Sequence, residues 1–227
     1  MRPTKHTKIS PAILKRQPMD KSRTLFARSA AYALFSNLAH SPHEDYIIFS
    51  DLENVIQEIE QVLPFEVDFS SIINETNKVT DNNWKNIVQS YSALFEVGDD
   101  GPPIPIRESA NDSLAFKKEE ITRYYDYFGY TVSENRKWES DHLSIELEFI
   151  HFLCQGERES EDALSFQLAQ KDFIDRHLIL WLASVHYKME QLDAHPFWMA
   201  IFSALFTFIQ KDLNWLKNQT NELKEAI

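Results

Sequence analysis

Apolar residues recur at helical spacing over most of the chain. Leu25, Ala27, Ala31, Leu34, Phe35 and Leu38 repeat at roughly 3.6 residues and predict a first amphipathic helix over 21–39. Ser41-Pro42-His43-Glu44 reads as the start of a second, with Ser41 as N-cap, Pro42 at the first helical position and Glu44 three residues after the cap. Ile47, Ile48, Leu52, Val55, Ile56 and Ile59 carry that helix on until Pro64 stops it. After a less regular stretch, Trp84, Ile87, Val88, Tyr91, Leu94 and Phe95 form another stripe that ends at Gly98. Further helical segments are predicted near 114–128, 141–154, 160–190 and 196–217. All four glycines fall between these segments, and no period-two run competes with them. Without a repeat of solenoid length, the expected fold is all-α, a single globular helical bundle.

Two stretches break the pattern. Residues 1–20 hold Pro3, Pro11 and Pro18 among scattered charges, which predicts a flexible basic extension ahead of an all-helical domain over 21–227. The segment Val97–Ser109 contains Gly98-Asp99-Asp100-Gly101-Pro102-Pro103-Ile104-Pro105. Three prolines in four residues cannot be helical and predict a stiff connector, equally suited to be a spacer or a preorganised binding surface.

Composition narrows the class. The single cysteine, Cys154, excludes a disulfide framework and a multi-thiolate zinc site, fits a reducing compartment and, following Phe152 and Leu153, reads as a buried thiol. The basic N-terminus is not followed by an apolar run of signal-peptide length. The most apolar stretch, Pro196–Ile209, is about fourteen residues against the ~20 needed to span a bilayer, so it predicts a buried helix. A cytoplasmic protein without membrane insertion is expected.

Charge is uneven. Residues 1–23 hold seven Lys/Arg against Asp20 alone, leaving sixteen basic and thirty-four acidic groups in the remainder, a balance of -18. Between Ser29 and Asn77 there are nine acids and no Lys or Arg. Such a body repels nucleic acid and attracts a cationic partner, although a solvated acidic face kept for solubility explains the same letters.

Candidate chemistry is sparse. Glu148 and His151 form Glu-x-x-His on a helix, the spacing used in di-iron bundles, but the second such pair that a di-iron centre needs is missing. A metal-dependent helical enzyme using Glu148 and His151 is the alternative from another class. His142 and Glu146 lie one turn apart, ordinarily a helix-stabilising contact. No phosphate-cradling or nucleophile-elbow motif occurs, so no cofactor is expected. Ser140 or Asp141 can cap the helix that follows. Phe173, His177, Leu178 and Trp181 share one face of a later helix, where core packing with a satisfied buried histidine is the plain explanation.

In order and spacing, these pieces resemble the TorD/DmsD/NarJ family of redox-enzyme maturation chaperones. The matching elements are Tyr91-Ser92-Ala93-Leu94-Phe95, Gly101-Pro102-Pro103-Ile104-Pro105 with Glu108-Ser109, Tyr124-Tyr125 and Phe128-Gly129. Asp141-His142-Leu143 with Glu146-Leu147-Glu148-Phe149, then Phe173, His177-Leu178 and Trp181 complete the set. The resemblance covers about 91–181, and the start at Ser41 is similar too. It implies an all-helical chaperone, not an enzyme, which binds the twin-arginine leader of a molybdopterin oxidoreductase catalytic subunit precursor until cofactor insertion. The stretch from Gly101 to Ser109 resembles the branch serving dimethylsulfide, ethylbenzene, chlorate and selenate enzymes. Many relatives carry Pro at the position of Ser140 and Trp near Ile106-Arg107, so the resemblance leaves the detailed shape of the loop, and with it the client, open. Monomer and dimer both stay open, as does guanine-nucleotide binding.

A twin-arginine leader joins a basic section to an apolar one, so its binder needs acids beside an apolar groove. Asp141, Glu146 and Glu148 are the candidate carboxylates, with His142 positioning them. Tyr91, Phe95, Phe128, His177 and Trp181 are the candidate groove and client-contact residues, core packing being the competing role. The proline loop contributes Gly101, Pro102, Pro103, Pro105 and Glu108.

Overall fold

The computed structural model describes residues 21–42, 51–111, 117–132 and 140–225. The extension 1–20 lies outside them, as do His43 to Ser50. Among the described residues there is no strand, only isolated bridges such as Arg107 with His142. No described helix is long and apolar enough to cross a membrane.

Helix α1 (Lys21–Leu38) buries Leu25, Ala31, Tyr32 and Phe35, the stripe that predicted it. Of the helix expected from Ser41 to Pro64, the described residues show α2 (Leu52–Val62), preceded by a turn at Asp51; the expected turns over 43–50 lie outside the described residues. Its buried residues Leu52, Ile56 and Ile59 form an i, i+4, i+7 face. The stop comes where Pro64 forces it. Leu63 is extended, at ψ 140°, because the proline ring clashes with a helical predecessor.

The irregular stretch that follows hides a short helix, α3 (Ser70–Thr76). Helix α4 (Asp81–Phe95) opens on a reciprocal cap between Thr80 and Asn83 and buries Trp84, Ile87, Tyr91 and Phe95. A single turn, α5 (Glu108–Asn111), ends the proline loop, and α6 (Lys117–Phe128) follows. Helix α7 (Leu143–Glu159) packs along α1 and against α8 (Ala163–Phe173).

The segment expected at 160–190 is one nearly continuous rod, in which a π-helical turn over Ile174–Leu178 joins α8 to α9 (Ile179–Gln191). The final helix, α10 (Pro196–Glu225), begins with Pro at a position where its missing N–H costs nothing. Phe197, Phe202, Leu205, Phe208 and Ile209 of α10 are buried, so the most apolar stretch of the sequence is a core helix. Phe202 stacks on Phe95 at 5.0 Å, and Phe208 meets Tyr32 at 4.9 Å.

One polar group ties four helices together inside this core. The fully buried guanidinium of Arg28 donates to Asp212 through Nε (2.5 Å) and Nη2 (2.9 Å), and to Gln170 Oε1 (2.8 Å). Tyr32 donates to Asp212 at 2.7 Å, and Gln170 donates to Glu157 at 2.9 Å. Cys154 is buried beside them, with Sγ 3.4 Å from Gln170 Oε1. Four helices are thereby fixed in one register by interactions that satisfy each other's buried charge.

Candidate functional site

The proline loop is seated on the body by its own apolar residues and by backbone hydrogen bonds. Ile104 and Ile106 are buried. The Ile104 amide donates to Leu94 O (2.9 Å), and the Leu143 amide donates to Ile106 O (3.0 Å). Glycine is required at the loop's entry: Gly101 has φ +101°, and a Cβ on Gly98 would sit 2.1 Å from Gly101 O. The stiffness expected from the prolines is therefore anchored to both α4 and α7.

Under the loop lies a buried junction of carboxylates. Glu108, 1% exposed, faces fully buried His177, whose Nδ1 is 2.9 Å from Oε2 and 3.2 Å from Oε1. Asp141, also 1% exposed, accepts from the Ser109 amide (3.2 Å) and hydroxyl, while its own carbonyl accepts from the Glu108 amide (3.1 Å). Lys118 approaches Asp141 Oδ1 at 3.8 Å. The π turn supplies His177: its extra residue per turn brings the imidazole against Phe173 (4.9 Å) and Tyr124 (5.7 Å), facing Glu108. Tyr125 donates to Ser140 O at 2.8 Å. Burial, reinforced by the negative charge of Glu146 and then Asp141 and Glu108, holds its hydroxyl well above the usual tyrosine range.

This geometry revises the sequence reading. Asp141 and Glu146 are interior groups, so they do not form an open acidic rim; Glu148 is half-buried. The reason is position: α7 runs through the middle of the body, burying residues almost all round its first turns. Tyr91 and Trp181 are core as well, Tyr91 donating to Ala39 O (2.8 Å) and meeting Trp198 at 4.9 Å. His177 is a partnered core histidine. Phe128 lines a separate depression of about 650 Å³ between α6 and α8, with Tyr124, Tyr127 and Arg176. His142 caps α7, its Nδ1 accepting from the Ser144 amide at 3.2 Å.

His151, half of the alternative metal motif, is engaged through Nδ1 with Ser29 Oγ (2.9 Å) and Ser29 O (2.8 Å). Among the described residues, no three His, Cys, Asp or Glu side chains are grouped to hold a metal ion.

What opens to solvent beside the junction is a groove of about 450 Å³. Phe95, Pro102, Pro105, Ile106 and Ala110 form its apolar part. Glu96 lines it where α4 ends, Arg107 and His142 where α7 begins, and His40 and Ser41 complete it. Asp99 and Asp100 follow Glu96 in an exposed turn leading to Pro102. The groove thus joins the proline loop to only two of the other expected residues, Phe95 and His142. The sequence reading did not count Glu96 or Arg107 among the binding residues; acids and a cation flanking a proline run were the available signal.

The family described as nitrate reductase delta subunit matches residues 49–186. The chain is 29% identical over 222 residues to the perchlorate reductase assembly chaperone protein of Dechloromonas aromatica, covering 89% of this chain and 94% of that one. It is 34% identical over 114 residues to the selenate reductase assembly chaperone protein of Thauera selenatis. That match covers 46% of this chain and only 58% of the relative's length. The chaperone protein TorD of Vibrio parahaemolyticus is 29% identical over 158 residues, 64% of this chain and 72% of that protein. No solved structure matches the chain significantly. Because the family match runs from the start of α2 into α9, across the proline loop and the buried junction, the chain belongs to the nitrate reductase delta subunit family.

Proposed function

We propose that this protein is a cytoplasmic, non-enzymatic assembly chaperone that binds the precursor of a molybdopterin oxidoreductase catalytic subunit and holds it for cofactor insertion. The observation that carries this reading is the alignment of nearly the whole chain with a protein named as an assembly chaperone for perchlorate reductase. The site is the groove under the proline loop. Its apolar part suits the apolar section of an export leader, and Glu96, Asp99 and Asp100 offer carboxylates to the basic section. Asp141, Glu108 and His177 act from inside, holding the loop and the start of α7 in place.

Affinity purification of this chain from its native cells tests the reading. One dominant molybdoenzyme precursor should co-purify, and a synthetic peptide of that precursor's leader should bind at low salt and weaken as salt rises. The reading fails if the peptide does not associate and the oxidoreductase acquires its molybdenum normally in cells lacking this chain.

A further inference from the structure

Helices α1 and α2 leave an apolar groove of about 650 Å³ between them. Phe26, Ala27 and Ala30 line it from α1, and Val55, Ile59 and Val62 from α2. Phe26 is 62% exposed and Val55 41%, so the described residues leave two large apolar side chains uncovered here. Exposed apolar surface gathered in a groove favours a covering partner. Ser22 and Arg23 line the same groove, so the chain enters α1 at its rim. The residues ahead of Lys21 contain a single apolar run, Ala12-Ile13-Leu14, with Ile9 shortly before it; Lys8 precedes these residues and Lys15-Arg16 follow them. Six residues, 15–20, separate Leu14 from Lys21. Extended, they reach about 20 Å, against the roughly 12 Å that α1 rises from Ser22 to Ala30.

Charge agrees with reach. Glu58 lines the groove, and Glu53 and Glu60 are exposed on the same helix, with no Lys or Arg between Ser29 and Asn77. The cations at the groove belong to the other helices: Arg23 of α1, and Arg158 of α7, which is paired with Glu159 at 2.7 Å. Independently of what the proline-loop groove binds, we infer that residues 9–16 of this chain fold back into the α1/α2 groove. Ile13 and Leu14 lie against Phe26 and Val55, with Lys15 and Arg16 toward Glu58 on the acidic α2 side. The segment is a tethered cover that closes an apolar surface to other chains. Its tether sets an effective concentration in the millimolar range, so a small contact suffices to hold it.

Crosslinking in the full chain tests this. Leu14→Cys combined with Val55→Cys, treated with a short bis-maleimide, should link within one chain, the native Cys154 being buried and silent. The tether alone brings the two cysteines together at some rate, so a control adds Ile9→Asp and Ile13→Asp to the same pair. Linkage in the control should be slower by about tenfold, the effect of losing roughly 1.4 kcal/mol of contact. Phe26→Ser, added to the pair at a side chain already mostly exposed, should slow linkage in the same way while the circular dichroism spectrum stays unchanged. If the pair links at the same rate in either variant, or if the links join two chains instead of closing within one, the inference is overturned.

Discussion

Asp212, near the end of the chain, holds Arg28, near its beginning, through two hydrogen bonds of 2.5 and 2.9 Å across 184 positions of sequence. Both side chains are fully buried. The arrangement fastens the first helix to the last, with Gln170 and Glu157 completing it from α8 and α7.

Removing Arg28 should therefore cost far more than a surface charge. Arg28→Ala leaves Asp212 and Glu157 as buried carboxylates without their cation, and a loss of about 3–5 kcal/mol is expected in urea unfolding. Arg28→Met combined with Asp212→Leu should recover part of that loss, since apolar groups of similar size carry no desolvation cost.

Burial pushes the Cys154 thiol from its ordinary value near 9 up to about 12, against the pull of Arg28. A group whose folded value is raised stabilises the fold fully below its unfolded value and loses that contribution as pH climbs toward the folded one. Stability should decline between pH 9 and pH 12, and Cys154→Ala should flatten that decline in the urea midpoint. A thiol reagent at about pH 8 should label Cys154 only after unfolding.

Gly156 lies inside α7, where alanine ordinarily gains about 1 kcal/mol of helix propensity. Here a Cβ would sit 2.1 Å from Phe166 Cε1. Phe166 is itself packed against Phe128 at 5.1 Å. Overpacking costs of about 1–3 kcal/mol outweigh the propensity gain, so Gly156→Ala should lower the melting temperature.

Glu108→Ala leaves His177 buried without its carboxylate, with an expected cost of about 1–3 kcal/mol. Its distinguishing mark is local. Amide exchange at Ile104 and Leu143, whose N–H groups anchor the proline loop, should quicken more than exchange in α10. Equal acceleration everywhere would mean that the junction supports the fold as a whole, with no particular hold on the loop.

Much of the architecture was legible in the letters. The stripes at Leu25–Leu38 and Trp84–Phe95 gave two helices close to their true extent, and Pro196–Ile209 gave the first half of a third that runs on to Glu225, because a helix face is a local property with a fixed period. Cys154 read correctly as a buried thiol from the apolar residues before it. Where local rules compete, the reading slipped. Gly156 has the chemistry of a helix boundary, yet it lies inside α7. The π turn carries no compositional mark at all.

The site was less legible for a different reason. Its motif residues were picked out, but their exposure was not, and exposure decides what a carboxylate does. Asp141 and Glu146 look like binding groups in a one-dimensional string; threaded through the centre of the body, both are buried, and Asp141 fastens the proline loop through Ser109. Neither Glu96 nor Arg107 was among the candidate binding residues, and both line the open groove.

By itself the sequence determined the helical class, the stiff loop and the acidic balance, since periodicity, proline geometry and charge are written residue by residue. Tertiary structure alone decided that Arg28 meets Asp212, that Glu108 meets His177, and which acids face water. Those pairings join helices far apart in the chain, and burial is a property of neighbours that no local window contains.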